Sequence, residues 1–122
     1  MITGVNISAT KDYTSKLDKS DPKTIWKIGA LDSDVFDLIG DQAQNPLKMT
    51  SEVVRFGLKG IENFKDSYGN EIKFDTVSRA VGRNNYSVVA DNIMKIIPPE
   101  IKNELSEQIL NLTKLNPDEI KN

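Results

Sequence analysis

Apolar positions step along this chain with more than one period. In Glu100–Leu112 they fall at Ile101, Leu105, Ile109 and Leu112, spaced four, four and three, on one face of an amphipathic helix. Pro98 stops the preceding segment, and Pro99 opens this helix at the position where a missing N–H costs nothing. Val54, Leu58 and Ile61 make a second helical face, widened by Val53 and Phe56. Thr50 caps that helix, and Glu52 places an acid in its first turn, where the helix dipole favours one. Gly57 and Gly60 lie three apart on it and leave room for a neighbouring backbone, each costing about 1 kcal/mol relative to Ala. The predicted helix runs out at Glu62-Asn63. Phe64 and Phe74 then flank a polar turn, Asp66–Asn70, whose Tyr68-Gly69-Asn70 suits the positive φ of a tight hairpin.

The rest of the chain is divided by shorter signals. Residues 2–9 alternate through Ile2, Val5 or Ile7, and Ala9, which predicts a short strand with Gly4 as its weak point. Residues 10–23 are polar and balanced in charge, a loop or arm that a partner would order, with Tyr13 and Leu17 as its large apolar handles. Thr24–Leu31 reads as a second strand, with Trp26 and Ile28 on one face and Ile25 on the other. Asp32 or Ser33 caps a helix over Asp34–Gln42 that carries Val35, Phe36, Leu38 and Ile39, and Asn45-Pro46 breaks it. Asp75 caps a short helix over Thr76–Val81, ended by Gly82–Asn85, and Tyr86–Ile97 forms another with Val89, Ile93 and Ile96/Ile97 on one face. Asn116-Pro117-Asp118-Glu119 predicts a last helical turn.

Composition narrows the class. A chain of 122 residues fits one domain, since domains cluster near about 100–150 residues, and it can bury a core without staples. Its hydrophobic fraction of 38% is on the low side, which points to an oligomer or partner interface. The net charge of −2 and pI near 5.1 advertise no general attraction to nucleic acid or an anionic membrane. There is no cysteine for a disulfide framework. Histidine is also missing, which removes the usual neutral-pH base and the commonest zinc ligand. No apolar run approaches the roughly 20 residues of a membrane span, and Met1–Ile7 lacks the basic start and apolar core of a signal peptide. The expected location is the cytoplasm in which the chain is made.

Candidate chemistry is sparse. Asp32-Ser-Asp-Val-Phe-Asp37 with Asp41 is the densest acidic patch, but Val35 and Phe36 stand where a calcium loop needs glycine or polar groups. Acids at a helix N-terminus explain it. Asp34 and Asp37 share a helix face suited to acid–base work, yet nothing else marks a pocket, and Gly57–Gly60 is too short for a P-loop. No catalytic residue, metal or cofactor is expected. Arg79, Arg83 and Asn84–Tyr86, with Lys59 and Lys65, make a small basic and aromatic patch that reads as a solvated helix end, so nucleic acid is not an expected partner. Trp26 reads as core, with an interface anchor as the alternative.

One stretch carries a resemblance. Val54-Arg-Phe-Gly-Leu-Lys-Gly-Ile-Glu-Asn-Phe-Lys-Asp66, then Gly69-Asn-Glu-Ile-Lys-Phe74, resembles a pattern of small tailed-bacteriophage proteins encoded among tail genes, tail assembly chaperones or minor tail components. In that pattern an aromatic precedes the Glu-Asn and a proline precedes the last Phe, whereas this chain has Ile61 and Lys73. The strand-then-helix order after Thr24 and the ending Leu115–Asn122 resemble the same family, so the likeness covers most of residues 24–122.

Together these readings predict an α+β fold that is mostly α: about four to five helices, a short N-terminal β-hairpin (2–9 with 24–30) and a small internal hairpin at 64–74. Residues 1–23 would be a strand and polar arm, and 24–122 a single mainly helical domain. The resemblance implies a non-enzymatic tail assembly protein without cofactor, a chaperone that holds the tape measure protein soluble in the host cytoplasm while the tail tube polymerises. A structural virion component, such as a minor tail or head–tail connector subunit, is the alternative, and a small phage regulator of a host protein the third reading. Such a chaperone needs exposed apolar surface. The candidates are Ile101, Leu105, Ile109 and Leu112; Val54, Leu58 and Ile61; and Tyr13, Leu17 and Trp26, which would order the arm on binding. Partners would be tape measure or tail tube proteins, with a homo-oligomer compatible and no membrane.

Overall fold

Alternation puts Trp26 and Ile28 on the buried face of β2 (Ile25–Ile28), with Ile25 and Lys27 half-buried on the other. The computed structural model describes residues 4, 6–41 and 44–114. Strand β2 lies between two antiparallel partners, β1 (Lys11–Tyr13) and β3 (Leu58–Glu62). A separate hairpin joins β4 (Thr76–Val81) and β5 (Asn84–Val89). Against these sheets sit α1 (Ser33–Gly40), α2 (Pro46–Gly57), the single turn α3 (Asp91–Met94) and α4 (Pro99–Thr113). Among the described residues there are four helices and five strands, about 36% helix and 24% strand, so the fold is α+β but not mostly α.

The correction comes mainly from residues 76–97. The predicted helices there are the β4–β5 hairpin followed by α3. Gly82 takes φ +61 and, with Arg83, makes a two-residue turn between the paired Val81 and Asn84, the geometry in which a first-position glycine suits a hairpin. Thr76, Val77, Val81, Val88 and Val89 are β-branched and favour the strands that result.

The central helix is also displaced. Asn45 caps α2 by accepting from Lys48 N at 3.2 Å, and Pro46 is its first residue, so the predicted breaker is the true start. The helix stops at Gly57. Leu58 and Ile61 therefore belong to β3, and no helical Val54/Leu58/Ile61 face exists. Gly57 admits a side chain rather than a backbone: a Cβ there would lie 2.5 Å from Ile109 Cγ2.

The N-terminal strand moves too. Among residues 6–9 no strand forms, because the Asn6 side chain accepts from Ser8 N and Ala9 N and closes a turn; residues 2, 3 and 5 of the predicted strand lie outside the described residues, as does the turn at 116–119. The polar arm supplies β1 instead, with Tyr13 opposite Trp26. It is ordered by its own chain: Tyr13 Oη donates to Glu104 Oε2 at 2.7 Å, and the buried Ser15 Oγ donates to Glu104 Oε1 at 2.9 Å. The turn at Asp66–Asn70 forms as predicted, with Gly69 at φ +84, and Phe64 lies 5.1 Å from the Trp26 ring.

Partial burial and the hydrogen bond to Glu104 push the Tyr13 phenol from 10.0 to about 12. The folded state thus keeps a proton that the unfolded chain releases. The contribution is complete below pH 10 and drains away between pH 10 and about 12. An absorbance titration of the three tyrosines is expected to show one ionising near 12, absent in Tyr13→Phe. A wild type in which no phenol ionises near 12 would show that the contact is not formed.

The sequence-predicted α1 and α4 both form, α1 ending at Gly40, with the predicted end Gln42 outside the described residues. Asp32 caps α1 through Val35 N, and Pro98-Pro99 opens α4. Among the described residues no helix is long and apolar enough to cross a membrane.

Candidate functional site: the cleft between the sheets

Strands β3 and β5 approach each other but belong to different sheets. A cleft of about 200 Å³ opens at this junction. Its apolar wall is Leu31, Val35, Phe56 and Leu58, all buried. Its polar residues are Asp32, Lys59, Thr76, Tyr86 and Ser87.

Asp32 owes its position to the start of α1. One oxygen accepts from Val35 N at 2.9 Å and the other from Tyr86 Oη at 2.6 Å. The bond to Asp32 is the main reason the Tyr86 phenol is held above its ordinary range, since it favours the protonated form. The Tyr86 ring stands edge-on to Phe56 at 5.9 Å. With both oxygens engaged, Asp32 ties a helix to a hairpin.

Lys59 owes its position to a β-bulge. Ile28 pairs with Leu58 and Lys27 with Gly60, so Lys59 is the extra residue, and bulges re-aim a side chain in this way. Its aliphatic stem crosses Gly29, where a Cβ would lie 3.4 Å from Lys59 Cε and 3.1 Å from Ala9 O. The ammonium donates to Phe56 O at 2.9 Å. Burial pushes this amine below its ordinary range, while the charge of Asp32 works in the opposite direction. An ammonium has three donors, so the cleft offers a ligand an apolar wall and further N–H groups on Lys59.

A second cluster also touches Phe56. The buried carboxylate of Glu52 meets Arg79 Nη1 at 2.8 Å and Arg55 Nε at 3.5 Å. Arg79 also lies 5.4 Å over the Phe56 ring, and Arg55 reaches Asp91. These contacts fasten α2 to the hairpin and the turn after it. Arg79 and Lys59 are thereby turned to separate tasks, and the predicted solvated helix end is a hairpin in which Arg79 pairs across from Tyr86. Among the described residues, no group of three or more acids, histidines or cysteines is placed to hold a metal.

The candidate partner residues divide by burial. Trp26, Val54, Leu58, Leu105 and Ile109 are buried in the core, and Tyr13, Ile61 and Ile101 pack partly buried against it. Leu17 and Leu112 are exposed, at 58% and 36%. Of the ten, Leu58 lines the cleft. Buried side chains present nothing to a partner while this fold persists. Phe56, Lys59 and Tyr86 were not legible as a site, because reading 50–62 and 86–97 as helices hides both the bulge and the strand pairing. The signals that point to them are Gly82-Arg83 as a hairpin turn and the valines on either side. No protein-family model matches the chain, and neither a curated protein nor a solved structure matches it.

Proposed function

We propose that this chain is a non-enzymatic assembly protein of a tailed bacteriophage, most specifically a tail assembly chaperone that binds the tape measure protein in the host cytoplasm. One observation supports the reading. The segment Val54–Phe74, which carries the resemblance, also contributes Phe56, Leu58 and Lys59 to the cleft. Small-molecule sites run to about 300–1,000 Å³. A cleft of about 200 Å³ suits one large apolar side chain of a partner, seated as an anchor with Lys59 hydrogen-bonding beside it.

Quantitative mass spectrometry of infected-cell lysate and purified particles tests the proposal. The expected result is abundance in the lysate and absence from the particle. A fixed integer number of copies per particle overturns it in favour of a structural subunit. Early appearance, before any tail protein, with absence from particles, overturns it in favour of a regulator.

A further inference from the structure

The described strands differ in how their edges are protected. Strand β1 is three residues long and carries Lys11 and Asp12, and β3 is bulged at Lys59. Short length, charge and bulges are the usual devices that keep an edge from pairing. Strand β4 has none of them. It runs six residues without proline, and its one charged residue, Arg79, is turned onto Glu52 and Phe56. Thr76, Val77, Ser78 and Ala80 are exposed.

The hairpin register shows which backbone groups face outward. Ala90 N donates to Asp75 O, and Val81 pairs with Asn84 across the two-residue turn, so the odd-numbered residues of β4 bond to β5. Thr76, Ser78 and Ala80 therefore direct their N–H and C=O to the open edge. Consistent with this, Thr76 N is taken by the Asp75 side chain at 2.8 Å.

We propose that β4 is a self-pairing edge: two copies of this chain join antiparallel along Thr76–Val81, with Arg79 at the two-fold axis, fusing their hairpins into one continuous sheet. Alternation allows only registers in which outward residues oppose one another. Setting Ser78 opposite Ala80 of the second copy places Val77 opposite Val81, twice by symmetry. Val77, 49% exposed alone, is then covered by the valine of the other copy at both ends of the paired segment. Setting Ser78 opposite Ser78 would instead place Val77 against Arg79. The two Arg79 side chains at the axis are each already paired with Glu52 of their own copy. This inference is independent of the phage reading.

Sedimentation equilibrium of the full chain is expected to show a concentration-dependent dimer. Ser78→Pro removes an outward N–H, a place where an edge strand tolerates proline, and is expected to raise the dimer Kd on the order of a hundredfold with an unchanged far-UV spectrum. Cross-linking reads the register. The native chain has no cysteine, and Val77 and Val81 of the two copies would be a non-hydrogen-bonded pair with Cα atoms about 4.5 Å apart, within disulfide reach. A mixture of Val77→Cys and Val81→Cys chains should oxidise to the mixed dimer, while Val77→Cys alone should not cross-link. A wild type that stays monomeric, a dimer indifferent to Ser78→Pro, or self-cross-linking of Val77→Cys equal to the mixture would each overturn the proposal. Should Ser78→Pro unfold the hairpin, the cross-linking arm decides by itself.

Discussion

Replacing Leu105 and Ile109 together with asparagine is expected to unfold the domain. Both side chains are 0% exposed and sit on the face of α4 that packs against α2. Truncating one buried Leu or Ile typically costs about 2–5 kcal/mol. A buried amide without a partner adds about 1–3 kcal/mol at each site. The two positions share neighbours, so the losses will not add simply. Even so, they rival the whole stability of a domain, which is about 5–15 kcal/mol. Circular dichroism should show loss of helix and of the cooperative thermal transition. Leu112→Asn, at a position of the same helix that is 36% exposed, should cost about 1–2 kcal/mol and leave the domain folded. A surface role for Leu105 and Ile109 would leave the double variant folded, and that result would mean α4 is not seated as described.

Gly57→Ala should be strongly destabilising. Its Cβ would stand 2.5, 2.6 and 2.9 Å from Ile109 Cγ2, Cδ1 and Cγ1. Ile109 is fully buried, and a β-branched side chain in a helix has essentially one χ1 well, so it cannot swing aside. Overpacking of this kind costs about 1–3 kcal/mol, and helix propensity returns less than about 1 kcal/mol at a terminal position. A net loss of about 2 kcal/mol corresponds to a fall in Tm of roughly 8 °C or more. Ile109→Ala empties the space that the new methyl needs. The Gly57→Ala/Ile109→Ala pair should therefore lose at least about 1 kcal/mol less than the sum of the single losses. Strict additivity in that cycle would show that the helices do not touch there.

The parts legible in the sequence were those with local causes. Asp32 announced α1 because its carboxylate satisfies Val35 N three residues on. Pro98-Pro99 announced α4, and the four-four-three spacing found its buried side at Leu105 and Ile109. Trp26 and Ile28 were placed on the correct face of β2 by alternation alone. The failures came where one pattern served two structures. Asn45-Pro46 can end one helix or cap the next, and only the Asn45–Lys48 bond decides. Val54, Leu58 and Ile61 satisfy a helical period, yet the chain turns to strand at Leu58, where β2 offers hydrogen bonds that no local signal encodes. Gly82 serves equally as a helix stop and as the first position of a hairpin turn, and reading it as a stop hides Tyr86 and, with it, the polar side of the cleft.

The grip of Glu104 on Tyr13 and Ser15 spans 91 and 89 residues. On the ribosome, at about 5–20 residues per second, Glu104 is made on the order of ten seconds after Tyr13. Until then the first strand has no carboxylate to hold it, and the core lacks Leu105 and Ile109. Closure of this domain is thus a late event in its own synthesis, set by the arrival of one helix.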